Sequence, residues 1–256
     1  MDAPATSLLV TAAVFASSLA GLWLHRLLPD PHLSKETQDV VRLGTGMLSV
    51  LASLVLGLLI ATAKTSYDAT DTAIRAYAAD LILLDETLRD YGDAARPPRL
   101  LLRDYTRRML HDTWPATGGR PYMQEDRSAG ALMEHVREAI RALQPVDSGQ
   151  KWLQDQALLV NISLLRQRWL LIERGGPSVR PATIAILVSW IGFIFVSFAL
   201  NAPRNATVVT AFLLCSLAIG SAIFLILQLD SPFNGVMRIS AQPVETSLGH
   251  MLPAGK

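Results

Sequence analysis

Gly46, Ser49, Ser53, Gly57 and Ala61 recur at steps of three and four, and Lys64 closes the row. On a helix that spacing places them on one face. Small side chains and hydroxyls with no base beside them offer room and weak polarity rather than bond-making chemistry. Several copies of such a face would line a narrow aqueous path. The same face equally suits the close approach of two helices, for which small residues are the usual device in membranes. The spacing leaves both readings open.

Groups that could make or break bonds are scattered. The five histidines, His25, His32, His111, His135 and His250, share no local motif. There is no Gly-x-Ser-x-Gly, no His-Glu-x-x-His and no glycine-rich phosphate loop with its lysine. Glu134, His135 and Glu138 come nearest to a metal cluster, but on a helix only His135 and Glu138 share a side, and a solvated surface explains them better. A single cysteine, Cys215, excludes a disulfide framework and a four-thiolate metal site within one chain. Cys215 reads as an apolar filler. No catalytic residue, metal site or cofactor is expected, and an enzyme is the least favoured class.

The elements that hold these residues are set by four uncharged stretches. Ser7–Leu24, Leu43–Ala63, Pro181–Pro203 and Asn205–Leu229 contain no Asp, Glu, Lys, Arg or His. About 20 apolar residues span a hydrocarbon core as a helix, and buried helices of soluble proteins are rarely so free of charge. Ionisable groups inside spans mark proton relays and coupled ion sites, so their absence argues against a pump. The first stretch has no Lys or Arg before it, unlike a cleaved secretory signal, and is expected to be retained as a helix. Ser189, Ser197, Asn201, Ser216, Ser221 and Gln228 are polar, but helix backbone or a neighbouring helix suffices to satisfy them.

Over the 256 residues, 23 basic side chains face 22 acidic ones, a net charge of +1. That leaves no field to attract nucleic acid. Mean hydropathy is +0.30, and the charge is gathered between the second and third stretches. Residues 64–180 read as helices. Ala94–Pro98 breaks the chain before a helix over Arg99–Trp114, and Pro115–Pro121 forms a turn. Ala131–Leu143 aligns Leu132, Val136, Ile140 and Leu143. Asp147 and Ser148 can cap a helix over Lys151–Arg174, whose apolar face is Leu158, Ile162, Leu165, Trp169 and Ile172.

The longest pattern follows the second stretch. Tyr67, Thr70, Ile74, Tyr77, Leu81, Leu84, Leu88 and Tyr91 form a seam at steps of three and four. No Gly or Pro lies between Ala61 and Tyr91, so one helix is predicted from near Leu43 to near Tyr91. Its seam is predicted to pack on the Leu158–Trp169 face or on a neighbouring copy. Asp71–Arg75 and Asp85–Arg89 add i,i+4 pairs on its outer faces.

The segments that introduce and follow the fourth stretch carry a resemblance. They read Ala202-Pro203-Arg204-Asn205-Ala206-Thr207 and Leu229-Asp230-Ser231-Pro232-Phe233-Asn234-Gly235-Val236-Met237-Arg238-Ile239-Ser240. With Gly57-Leu58-Leu59-Ile60-Ala61 followed by Tyr67-Asp68, they resemble the bacterial bestrophin-like membrane proteins over nearly the whole chain. The resemblance implies four spans, a cytosolic helical domain between the second and third, and a homo-oligomer. Bestrophins themselves are pentameric ion channels lined by the second span. Here the Arg-Trp-Trp-Glu run that follows their pore-helix tyrosine reads Ala69-Thr70-Asp71-Thr72. Their three bulky neck residues fall on Ser53, Gly57 and Ala61, and no acidic calcium clasp follows Arg238.

The chain is thus expected to be an all-α membrane protein. Spans one and two lie within residues 1–63, a helical cytosolic domain over 64–180, spans three and four over 181–229, and a short cytosolic tail over 230–256. Near the span ends, Lys64, Arg75, Arg166, Arg168, Arg174, Arg180 and Arg238 outnumber Arg26, Lys35, Arg42 and Arg204 on the opposite side. The positive-inside rule therefore puts both termini in the cytoplasm of a bacterial inner membrane. Gly46, Ser49, Ser53, Gly57 and Ala61 are the candidate path, with membrane lipid, further copies of the chain and small inorganic ions as partners. Pro203, Arg204, Asn205, Asp230, Pro232, Phe233 and Gly235 are expected to be structural, with Phe233 at the membrane interface. The competing reading is a membrane-anchored scaffold without transport.

Overall fold

The computed structural model describes residues 3–29, 34–114, 127–174 and 179–252. Every regular element among them is helical. In chain order these are α1 (Ala3–Leu24), α2 (Lys35–Tyr91), α3 (Arg96–Thr113), α4 (Arg127–Arg141), α5 (Ser148–Arg174), α6 (Pro181–Leu200), α7 (Ala206–Leu229) and α8 (Gln242–Met251). Four of them, α1, α2, α6 and α7, are long and apolar enough to cross a membrane. His32 and the predicted turn over Pro115–Pro121 lie outside the described residues.

The predicted long helix is one uninterrupted element, and it begins earlier than the apolar run. Its 57 residues start at Lys35, where Ser34 Oγ accepts a hydrogen bond from the Thr37 N–H at 3.3 Å. Glu36 in the first turn adds a favourable charge against the helix dipole. At 1.5 Å per residue it extends about 85 Å, against a hydrocarbon core of about 30 Å. It stops at Gly92, whose φ of +104° only glycine adopts without strain. The break over Ala94–Pro98 is shorter than the prolines suggest. Pro97 and Pro98 sit inside the first turn of α3, where the missing N–H groups have no partner to lose.

The chain divides into two compact units, Met1–Ser66 with Pro177–Asp230, and Tyr67–Gly176 with Ser231–Lys256. In the first, α1 packs against both α6 and α7, and its glycine and serine face brings the backbones close. A side chain at Gly21 would meet Val196 O at 2.6 Å and Ala199 Cβ at 2.7 Å. Gly192 of α6 has Ser17 beside it, and Gly220 of α7 has Thr11 and the Ser7 carbonyl. His25 Nδ1–H donates to Leu200 O at 2.8 Å, joining the end of α1 to the end of α6.

The second unit is built on the predicted seam. Thr70, Ile74, Tyr77, Leu81, Leu84, Leu88 and Tyr91 are buried, in one core with Leu102, Tyr105 and Met109 of α3 and Met133, Val136 and Ile140 of α4. The tail contributes more than a short extension. It folds into α8, which buries Val244 and Met251 in the same core. As expected, Asp147 caps α5, accepting from the Gln150 N–H at 2.7 Å.

The inward face of α5 differs from the predicted one. Gln154, Ala157, Asn161, Leu164, Arg168 and Leu171 are buried, whereas Ile162 and Trp169 are 52% and 68% exposed. The helix turns polar groups inward because they have work there. Gln154 Nε2 donates to the carbonyls of Ile140 and Leu143 at 2.9 and 3.0 Å, closing the end of α4. Ser163 and Gln167 donate to Asp80 Oδ2 at 2.9 and 2.6 Å, which ties α5 to α2. Nearby, the hydroxyls of Tyr77 and Tyr105 hydrogen-bond to each other. Burial and the neighbouring Tyr105 push the Tyr77 phenol well above its ordinary value, so it stays neutral.

Candidate functional site

Between Arg42 and Lys64 only Thr45, Ala52 and Ala63 are buried within the chain. The candidate stripe lies away from that covered line. Gly46, Ser53, Gly57 and Ala61 are exposed and Ser49 is half-buried. No atom comes within 4 Å of where a side chain would stand at Gly46 or Gly57. Close packing inside one subunit is therefore not the use of these two glycines. The hydroxyls bond back along the helix, Ser49 Oγ to Thr45 O and Ser53 Oγ to Ser49 O, both at 2.8 Å. As the donor in these bonds, each hydroxyl retains acceptor lone pairs. Beside the stripe, Leu43, Met47, Val50, Leu54 and Leu58 are each 65–71% exposed, an apolar surface suited to lipid or to another helix.

Charge begins where the apolar run ends. Asp71 and Arg75 form the predicted i,i+4 pair at 2.9 Å, and the Asp71 carboxylate raises the Arg75 guanidinium above its usual value. The second predicted pair, Asp85–Arg89, also forms at 2.9 Å but not on an outer face. Asp85 is buried, and Arg99 grips the same carboxylate through Nε and Nη2 at 2.8 and 3.1 Å.

The remaining singled-out residues fall in separate places. Asn205 caps α7, its side chain accepting from the Val208 N–H at 2.9 Å, with Pro203 and Arg204 exposed in the turn before it. Asp230 ends α7 and accepts from the Val179 N–H at 3.0 Å, joining the entry of α6 to the exit of α7. In the second unit Pro232 is buried and its carbonyl accepts from the Ile239 N–H at 2.8 Å. Phe233 is half-buried edge-on to Trp114 with ring centroids 6.0 Å apart. Gly235 has φ +86°, which the turn requires.

Among the described residues the groups considered for bond chemistry lie apart. Glu134 pairs with Arg137, and among the described residues no three His, Cys, Asp or Glu side chains are placed to hold a metal. Cys215 is exposed on α7 rather than filling the subunit interior. Ser189, Ser216, Ser221 and Asn201 bond to carbonyls of their own helices, as expected. The apolar surface that the sequence misplaced is the exposed side of α5, where Trp152, Leu159, Ile162 and Trp169 line up at steps of seven and three. Its signal was present as the apolar period of α5; only its direction was misread.

Residues 12–244 match the model of the Bestrophin-like domain. Among solved structures, a tryptophan-to-alanine variant of a bacterial bestrophin homolog from Klebsiella pneumoniae is similar, with a TM-score of 0.70 at 13% identity, covering 98% of this chain and 97% of that one. A second structure of the Klebsiella pneumoniae homolog gives a TM-score of 0.66 at 14% identity, covering 96% and 95%. A structure described as a membrane protein variant gives 0.67 at 13%, covering 96% and 97%. At such identities these likenesses speak for the fold. No curated protein matches the chain.

Proposed function

We propose that this chain, which belongs to the bestrophin-like family, is one subunit of a homo-oligomeric passive channel for small inorganic ions, with the second span facing the path. The observation that carries this reading is the uncovered small and hydroxyl face of α2, Gly46, Ser49, Ser53, Gly57 and Ala61. It lies in a span without any ionisable group. A passive path needs only weakly polar walls and a constriction. Copies of the subunit arranged around such a face would enclose it, and the exposed Trp152, Leu159, Ile162 and Trp169 give the second unit an apolar surface for the neighbouring copy.

Protein reconstituted in liposomes is expected to pass small ions. Bilayers that stay silent across several salts and pH values would sink the reading. The same exposed face of α5 favours the second reading, a membrane-anchored scaffold, and silent bilayers together with one reproducible partner on that face would establish it. The basic residues near Lys64, Arg180 and Arg238 support a reading with both termini on the cytoplasmic side of a bacterial inner membrane. An alkaline phosphatase fused after Lys256 is accordingly expected to be inactive, and strong activity would reverse the orientation.

A further inference from the structure

Four arginines gather around one concavity where α2 gives way to α3. Arg89 lies in the last turn of α2, Arg96 and Arg99 in the first turn of α3, and Arg103 one turn further on. With Gly92, Asp93 and Leu100 they line a cavity of about 390 Å³. The whole of it lies within the second unit.

The charges here do not cancel. Four guanidinium groups meet the Asp93 carboxylate at the lining and the buried Asp85 behind it, so four minus two leaves a net +2. Asp85 orients two of the four, taking one hydrogen bond from Arg89 at 2.9 Å and two from Arg99. The exit of α8 holds Arg89 as well and orients a third, since Arg89 Nη2 donates to His250 O at 3.3 Å and Arg103 Nη2 to Met251 O at 2.5 Å. These bonds fix the side chains yet leave donors over. Nη1 of Arg89 and of Arg99 takes no part in them, and Arg103 Nε is buried without a hydrogen-bond partner. Arg96 makes no hydrogen bond or ion pair with the described residues.

The helix terminus is not what makes this a site. Pro97 and Pro98 remove two of the N–H groups that a first turn normally presents to an anion. Recognition rests on the guanidinium forks, whose planar, multiple donors match phosphate oxygens. Three oriented guanidinium groups and the unpaired Arg96 beside them offer more donors than one monovalent anion can satisfy, and the cavity has room for more than one phosphate. We propose that the Arg89–Arg96–Arg99–Arg103 cavity binds a polyvalent phosphate, a diphosphate or triphosphate group. The site stands independently of ion conduction.

The test uses the full-length protein in neutral detergent, titrated calorimetrically with inorganic pyrophosphate, orthophosphate and sulfate. Pyrophosphate is expected to saturate one site per subunit and to bind more tightly than the other two. Arg96→Ala and Arg103→Gln are each expected to weaken it about tenfold or more, as loss of a charge-assisted hydrogen bond implies. Arg107→Ala, an exposed change outside the cavity, should leave binding unaltered. Because the Arg96 side chain is exposed, its removal does not threaten folding and keeps the test decisive. A parallel arm uses phosphatidylcholine nanodiscs with and without phosphatidic acid. If the acidic nanodiscs displace pyrophosphate and the same variants abolish the effect, a lipid phosphate also reaches the cavity; if only the acidic nanodiscs bind and pyrophosphate does not, the diphosphate assignment is overturned. Absence of binding in both arms overturns it. So does pyrophosphate binding that responds to Arg107→Ala as much as to Arg96→Ala.

Discussion

Gly57→Trp is expected to cut ion flux through reconstituted protein by about tenfold or more while leaving assembly and melting unchanged. Gly57 sits past the middle of the Leu43–Ala63 run on the uncovered face, with no atom within 4 Å of a Cβ placed there. The new side chain therefore starts into open space, and the volume of the indole is carried by the exposed face. Repeated in every subunit, it would fill a narrow path with apolar surface, which stops ions by dewetting as well as by bulk. Leu58→Trp is the matched control, since Leu58 is 65% exposed on the neighbouring face and is already apolar. A Gly57→Cys variant in a Cys215→Ser background should also lose conduction on reaction with a charged thiol reagent. Full conduction by Gly57→Trp would mean that the stripe faces lipid or a partner helix and that any path runs elsewhere.

What could be read from the sequence, and what could not, follows from the physics of each signal. The spans were legible because a charge in hydrocarbon is so costly that four uncharged runs are hard to mistake. The seam from Tyr67 to Tyr91 was legible because a three-four period sustained over seven turns is the mark of one covered helix face, and its core positions are buried as that period requires. The inward face of α5 was not legible. Its interior contacts include Gln154, Asn161 and Arg168, and Gln154 is held by hydrogen bonds to α4 carbonyls that only the fold creates, while Ile162 and Trp169 are exposed. Periodicity finds an apolar face but cannot say whether the molecule's own core or another surface covers it. Asp85 teaches the same lesson for charge. Its i,i+4 pair with Arg89 was visible, but Arg99 lies 14 residues on and reaches it only because α3 turns back. The start of α2 was missed because Lys35, Glu36, Asp39 and Arg42 make a polar first two turns, invisible to an apolar window though fully compatible with a helix.

Glycine is where sequence and structure part most sharply, and the contrast yields the second large prediction. Gly57 and Gly21 both occur among apolar residues of a span, and nothing in their local sequence distinguishes them. In the fold one meets open space, while the other is pressed against backbone. A Cβ at Gly21 would lie 2.6 Å from Val196 O and 3.0 Å from Val196 Cα. Neither atom can rotate away as a side-chain end would, so α1 and α6 must separate. Gly21→Val is therefore expected to destabilise the first unit by about 1–3 kcal/mol or more, the range for overpacking a tight contact. Separation would also strain the His25–Leu200 hydrogen bond next to it. The readout is the melting temperature of the detergent-solubilised protein, with Gly57→Val beside it. The Gly57 variant should melt with the parent because no atom of its subunit stands in the way. Equal melting of the parent and the Gly21 variant would show that α1 does not approach α6 so closely.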